Sequence, residues 1–178
     1  MDLRLAVMED LPQIKAIYKE IIKNMDSNNI QIWDEIYPCE FLENDIKNNQ
    51  LYVLIDNDEI VSAFALCHSN AGADSVNWKE NHAKALYIDR LGVNVNYLRK
   101  GIGCIVLNKA IELSREMGAE YLRLFVVDEN YPAINLYKKT GFEKVDGIYD
   151  EVIDDDFVLH EFGFEIKTSL WCKFQFVG

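Results

Sequence analysis

The apolar pattern of this chain predicts an α/β domain of mixed, α+β character, and three stretches carry the prediction. Leu51–Ile55 and Glu59–Cys67 are strand-like runs joined across Asp56-Asn57-Asp58, a hairpin turn by composition. Ile102, Val106, Ala110, Leu113 and Met117 recur at helical spacing, and Gly118 follows as a left-handed stop. Tyr121–Val127 is then almost continuously apolar, as a central parallel strand is. These strands, helices and crossovers are those of an α/β or α+β domain.

The elements follow in order. Asp2–Val7 alternates as a strand. Asp10, Pro12 and Gln13 mark a helix start, with Asp10 placed to cap and Gln13 at capping-box distance. Leu11, Ile14, Tyr18, Ile21 and Met25 continue its apolar stripe until Asp26-Ser27-Asn28-Asn29 breaks it. Ile30–Tyr37 leads through Pro38 to a second helix, Cys39–Lys47. After the hairpin, Asn70–Lys84 reads as a connecting loop, either lining a binding site or running over the surface. Ala85–Val93 is a strand with Leu86, Ile88 and Arg90 on one face and Tyr87, Asp89 and Leu91 on the other. Asn130–Lys139 is a short helix with Pro132 in its first turn and Gly141 after its end. Phe142–Val152 reads as one strand, Asp154-Asp155-Asp156 as an acidic turn, and Phe157–Ile166 as an irregular return containing Gly163. The aromatic tail, residues 168–178, reads as a further strand or as the contact of a homodimer.

Bulk properties narrow the function. The chain of 178 residues is long enough for one domain, 1–178, with a substantial core. No apolar run approaches the roughly 20 residues of a membrane helix, and the start M-D-L-R-L-A-V-M-E-D lacks a signal peptide's apolar stretch. Cys39, Cys67, Cys104 and Cys172 form no C-x-x-C pair, so reduced thiols and a cytoplasmic location are expected. His68, His82 and His160 lack ligand spacing, so no metal is expected. A formal charge of −12 speaks against nucleic acid and against anionic membrane surfaces. It fits a cationic substrate and an ordinary soluble surface equally.

The chemistry concentrates at Leu98-Arg99-Lys100-Gly101-Ile102-Gly103. Glycines at the start of a helix let a ligand approach amides that the helix does not engage. With the helix dipole, Arg99 and Lys100, those amides form an anion site suited to a pyrophosphate. The dinucleotide fingerprint G-x-G-x-x-G is not met, because Val106 stands at the third glycine. Downstream, Asn130, Ala133, Tyr137, Gly141 and Phe142 fall into the pattern N-x-x-A-x-x-x-Y-x-x-x-G-F. Together the two segments resemble the motifs of the GNAT N-acetyltransferase superfamily, and the resemblance is best over residues 2–145. Leu98 departs from it, since the family has Arg or Gln there.

The resemblance implies a mixed, mostly antiparallel sheet flanked by helices, with a splayed central cleft that admits acetyl-CoA. It implies that Arg99, Lys100, Gly101, Ile102, Gly103 and Cys104 hold the pyrophosphate. The backbone of Leu91, Gly92 and Val93 is expected to take the pantetheine arm and to offer an N–H to the oxyanion. Asn130 and Ala133 are expected to contact the CoA arm, with a simple helix cap as the other reading of Asn130. Tyr137 matches the family's tyrosine that protonates the departing sulfur; its other reading is a core tyrosine. Asp89 is the expected general base, with Tyr87, Glu35 and His68 as alternatives. Trp33, Glu35 and Tyr37, together with Tyr87, are candidate contacts for a small-molecule or peptide amine, against the plainer reading of a packed aromatic and a solvated acid. Cys104 lacks a histidine partner motif and reads as a small apolar residue rather than a nucleophile. The competing functions are a non-catalytic acyl-CoA sensor and a dinucleotide-dependent redox enzyme.

Overall fold

The computed structural model describes residues 1–154 and 157–169. Its elements in chain order are β1 (Asp2–Leu5), α1 (Leu11–Ser27), α2 (Leu42–Lys47), β2 (Leu51–Asp56), β3 (Glu59–Cys67), β4 (Val76–Asn77), β5 (Ala85–Val93), α3 (Ile102–Glu116), β6 (Tyr121–Val127), α4 (Tyr131–Lys139), β7 (Glu143–Lys144), β8 (Asp146–Gly147), β9 (Tyr149–Asp154) and β10 (Phe157–Lys167). Eight strands follow the hydrogen-bonded order β1-β2-β3-β5-β6-β10-β7, with β9 on β10. The β1/β2, β2/β3, β6/β10, β7/β10 and β9/β10 pairs are antiparallel, and β5/β6 is parallel. The expected mixed, mostly antiparallel sheet is therefore present.

The chain divides into two compact units, one of Met1–Leu66 with Asp89–Val106 and one of Cys67–Ile88 with Leu107 onward. In the first, α1 buries Leu11, Ile14, Ile17, Tyr18, Ile21 and Ile22, a stripe set by the helical period. Each such side chain contributes about 1.5–3 kcal/mol when fully buried. The β2/β3 hairpin turns through Asn57 and Asp58 at φ 48 and 66, the left-handed pair that matches strand twist and that Asn and Asp tolerate. In the second unit Leu86, Leu107, Ile111, Leu122 and Phe164 are wholly enclosed.

Several expectations are corrected. The Asp10 side chain does not cap α1; its carboxylate accepts from Val7 N–H at 2.8 Å and from Arg4 at 2.7 and 2.9 Å. The α2 helix is shorter than Cys39–Lys47, beginning at Leu42. The Asn70–Lys84 stretch is no plain loop, because it holds β4, paired with β8, and encloses Trp78. Phe142–Val152 is not one strand: Gly147 at φ 105 breaks it, and β7, β8 and β9 result. Met117 of the expected helix face is exposed, whereas Leu107, Ile111 and Ser114 are buried. Gly163 sits in unbroken register opposite Phe125, and the irregularity of β10 lies instead at Phe157/Val158. A Cβ on Gly163 would meet Val145 at 2.9 Å, which explains the glycine. The Asp154-Asp155-Asp156 turn and most of the aromatic tail lie outside the described residues.

Candidate active site

In the first unit, β5 leaves the strand conformation at Arg90, whose φ is 54. A residue with a Cβ pays about 1–2 kcal/mol there, so something must hold it. The Tyr18 hydroxyl donates to Arg90 O at 2.5 Å and lies 3.2 Å from Ala63 O. Asp45 of α2 accepts from Arg90 Nε at 2.8 Å and Nη2 at 3.0 Å, a two-pronged buried pair. Burial draws the Arg90 guanidinium downward, but Asp45, Asp89 and Tyr37 outweigh it and raise its pKa. Burial likewise lifts the Tyr18 phenol, so it stays a donor. Asp89 lies 3.9 Å from Arg90 Nη1 and keeps 21% of its side chain exposed. Asp89 and Leu91 are not kept on one face by a regular pleat, as expected from the sequence, because Arg90 between them is out of the β region.

Gly92 is required by packing: a Cβ would meet Ile21 Cδ1 at 2.9 Å and Tyr18 Cζ at 3.0 Å. Its carbonyl accepts from Ser62 Oγ at 2.6 Å, and Asn94 N–H donates to Val61 O at 2.9 Å, so this end of β5 stays seated on β3.

The turn before α3 follows. Asn94 Oδ1 accepts from Asn96 N–H and caps a short 3-10 turn over Val95–Tyr97. Leu98 is exposed, Arg99 takes φ 61 and Gly101 φ 80. Gly101 O accepts from Ile105 N–H at 3.1 Å, which makes Gly101 the residue before the first helical turn. Both glycines therefore stand at the opening of the helix, Gly101 just before it and Gly103 in its first turn. The amides of Gly101, Ile102, Gly103 and Cys104 are the four that helix geometry leaves without an internal acceptor. Ile102 is buried and anchors the turn, while a Cβ on Gly101 would meet nothing within 4 Å. Arg99 and Lys100 are exposed, and Lys100 Nζ lies 4.8 Å above the Tyr97 ring, whose hydroxyl donates to Glu59.

Among the candidate acceptor contacts, Trp33 is half-buried, stacked on Tyr18 at 5.6 Å with Tyr37 edge-on at 6.4 Å. Phe41 continues the cluster, 5.5 Å from Tyr37 and 5.4 Å from the Arg90 guanidinium. Asp34 Oδ1 accepts from the Ile36 and Tyr37 amides and shapes the segment; Glu35 beside it is exposed, as is His68.

In the second unit, Asn130 is the N-cap of α4, its Oδ1 accepting from Ala133 N–H at 3.3 Å. Tyr137 of α4 is buried, with Phe142 at 6.0 Å and Phe164 at 6.2 Å, and Ala133 is half-buried. Tyr87 is buried edge-on against Trp78, and Arg123 Nη1 donates to its hydroxyl at 3.5 Å. Arg123 in turn lies 4.5 Å over Trp78 and pairs with Glu165 at 3.2 Å, and Glu165 Oε1 accepts from Lys79 N–H at 2.9 Å. That network fixes the segment holding Trp78. Among the described residues no group of three or more His, Cys, Asp or Glu side chains is gathered to hold a metal ion.

The family model described as Acetyltransferase (GNAT) family matches residues 14–142. The chain belongs to the GNAT acetyltransferase family. It is 34% identical over 98 residues to an uncharacterized N-acetyltransferase of Methanocaldococcus jannaschii, a match that takes in 51% of this chain and 42% of that protein. A Bacillus subtilis protein provisionally named a phosphinothricin acetyltransferase is 27% identical over 146 residues, covering 80% of this chain and 83% of the relative. Among solved structures, a provisionally named Staphylococcus aureus acetyltransferase superposes with a TM-score of 0.70 at 28% identity, over 94% of this chain and 99% of that one. An acetyltransferase structure from Salmonella typhimurium, described as holding its cofactor acetyl-CoA, gives a TM-score of 0.62 at 16% identity over 94% and 93% of the two chains.

Sequence reasoning missed Tyr18, Asp45, Ser62 and Arg90 as parts of the site's frame. A signal for the pair existed: Arg90 interrupts an apolar strand, and Asp45 sits between Leu42 and Ile46 on a buried helix face. Two opposite charges at otherwise enclosed positions call for each other.

Proposed function

We propose that the chain is a single acetyltransferase domain that moves an acetyl group from acetyl-CoA to an amine by direct attack in a ternary complex. The observation that carries this is the turn at Gly101. A positive φ, an open flank and exposed Arg99 and Lys100 coincide with the start of α3, where helix geometry leaves the first amides without an internal acceptor. In this reading Gly101, Ile102, Gly103 and Cys104 donate backbone N–H groups to the pyrophosphate, with Arg99 and Lys100 adding charge. Leu98, exposed where the family has Arg or Gln, leaves those two to supply it.

Acetyl-CoA supplies the activated thioester; the chain's residues orient it and move protons. Leu91 and Val93 offer backbone groups to the pantetheine arm, beside Gly92, whose missing side chain lets α1 approach. Motif spacing assigns Asn130 and Ala133 to the CoA arm, with the Asn130 oxygen capping α4. Asp89 takes a proton from the acceptor's ammonium, directly or through water, so that the neutral amine attacks the thioester carbonyl, and an N–H near Val93 receives the charge on the carbonyl oxygen. Tyr137 gives its phenolic proton to the leaving sulfur. Holding both reactants aligned removes an entropic part of the barrier. Trp33, Glu35 and Tyr87 are the residues we assign to the acceptor, and cysteines Cys39, Cys67 and Cys104 that form no disulfide accord with a cytoplasmic site of action.

The test is incubation with acetyl-CoA and a panel of amino acids, polyamines, small-molecule amines and N-terminal peptides, following release of free thiol. Amine-dependent release supports the transferase. Thermal stabilisation by CoA with no release for any amine makes the chain a sensor, and stabilisation by NAD in its place makes it a redox enzyme.

A further inference from the structure

We infer that Tyr18 and Asp45 are positioning residues whose task is to hold the left-handed turn of β5 at Arg90, and so to aim the Asp89 carboxylate and the Leu91–Val93 amides. The inference rests on the proposed transferase reading for its catalytic consequence. Its structural part stands alone.

A strand residue with a Cβ at φ 54 turns its carbonyl out of the ladder, and a buried carbonyl needs a donor. The Tyr18 hydroxyl, from α1, is that donor at 2.5 Å. Tyr18 is fully enclosed, backed by Trp33 on one face and by Gly92, so the phenol has no freedom to follow a shifting strand. The other end of Arg90 is fixed as firmly, since the guanidinium is gripped by both oxygens of Asp45. Backbone and side chain of one left-handed residue are thus each tied to a different helix. Immediately on either side of it lie the residues assigned to the chemistry, Asp89 before and Leu91 after. Just beyond, Ser62 Oγ and Val61 O fix Gly92 and Asn94 against β3. The displacement that the clamp prevents is therefore greatest at Asp89–Leu91 and is damped toward Val93. A conformation held by surrounding structure at such a place is a form of preorganisation.

Two substitutions separate this from plain packing. Tyr18→Phe removes one hydroxyl and keeps the ring against Trp33. Asp45→Asn with Arg90→Gly removes both charges together and installs a residue that takes positive φ without a clamp. Hydrogen exchange of the Asp89–Val93 amides is measured in the protein without ligand, along with kcat, KM and the dissociation constant for CoA. Tyr18→Phe is expected to speed exchange at these amides at least about tenfold. It is also expected to lower kcat by up to about 10²-fold, the scale for a site displaced by roughly 1 Å, with CoA affinity within about twofold of the parent. In the Asp45→Asn/Arg90→Gly background the same Tyr18→Phe change is expected to have a much smaller effect on both. Unchanged exchange in Tyr18→Phe overturns the inference, as does an equal loss in both backgrounds. If the parent protein acetylates no amine, the transferase reading falls, and the exchange result still decides the clamp.

Discussion

Glu165→Leu tests the buried network of the second unit. Its side chain is 1% exposed and that of its partner Arg123 3%, so neither charge is screened by water. Leucine is close in volume but leaves Arg123 without its carboxylate and Lys79 N–H without its acceptor. Breaking one side of a buried pair costs about 3–5 kcal/mol. Arg123 retains Glu80 O at 2.8 Å and the Trp78 and Tyr121 faces at 4.5 and 5.6 Å, which places the cost near the lower bound. A loss of about 3 kcal/mol corresponds to a fall of about 6–12 °C in Tm for a chain of this size. Urea unfolding and a thermal melt measure it. The Arg123→Met/Glu165→Leu double variant is expected to recover part of the loss, because no uncompensated charge remains. A change below about 1 kcal/mol in the single variant, or a double variant no better than the single, refutes the reasoning.

Tyr137→Phe is expected to lower kcat by about 10²-fold, within the range of general acid–base catalysis, while CoA affinity stays nearly unchanged; normal turnover removes its acid role. Gly103→Glu puts bulk and a negative charge among the α3 amides and is expected to abolish CoA stabilisation in a melt, and retained binding would move the pyrophosphate elsewhere. Gly92→Ala sets a methyl 3.0 Å from a ring that cannot retreat and is expected to destabilise by about 1–3 kcal/mol, whereas a neutral result would mean that α1 yields. The Arg4 hydrogen bond holds the Asp10 carboxyl below its usual range, with Val7 N–H contributing. Since its folded pKa is depressed, its stabilisation is complete above the ordinary carboxylate value and fades as pH falls through the folded one. Wild type should therefore exceed Asp10→Asn at neutral pH and converge with it in acid, and a gap that widens on acidification contradicts the assignment.

How much could be read beforehand depended on whether a residue's neighbours were local. The α1 stripe, the Asn57-Asp58 turn and the Gly118 and Gly141 stops were legible because period and backbone sign act within a few residues. The places of Gly101 just before α3, of Asn130 at the cap of α4 and of Tyr137 within α4 were legible through motif spacing. The left-handed turn at Arg90 was not, since the residues that hold it, Tyr18 and Asp45, lie 72 and 45 residues away in the chain. Phe142–Val152 was misread for a similar reason. Its alternation looked continuous, but pairing of β8 with distant β4 and the φ of Gly147 broke it. Asp10 was drawn from capping to Arg4, a competition that local capping rules do not contain.

The vacant flank of Gly101 has a consequence in terms of handedness. No neighbour forbids a methyl group there; only the sign of the backbone torsion does. A D-alanine introduced by chemical ligation, its methyl in place of the other α-hydrogen, would satisfy that torsion while limiting the freedom of the unfolded chain, and so should melt above the L-alanine variant. Mirror-image residues at this single position would thus distinguish a glycine kept for its shape from one kept for the room beside it.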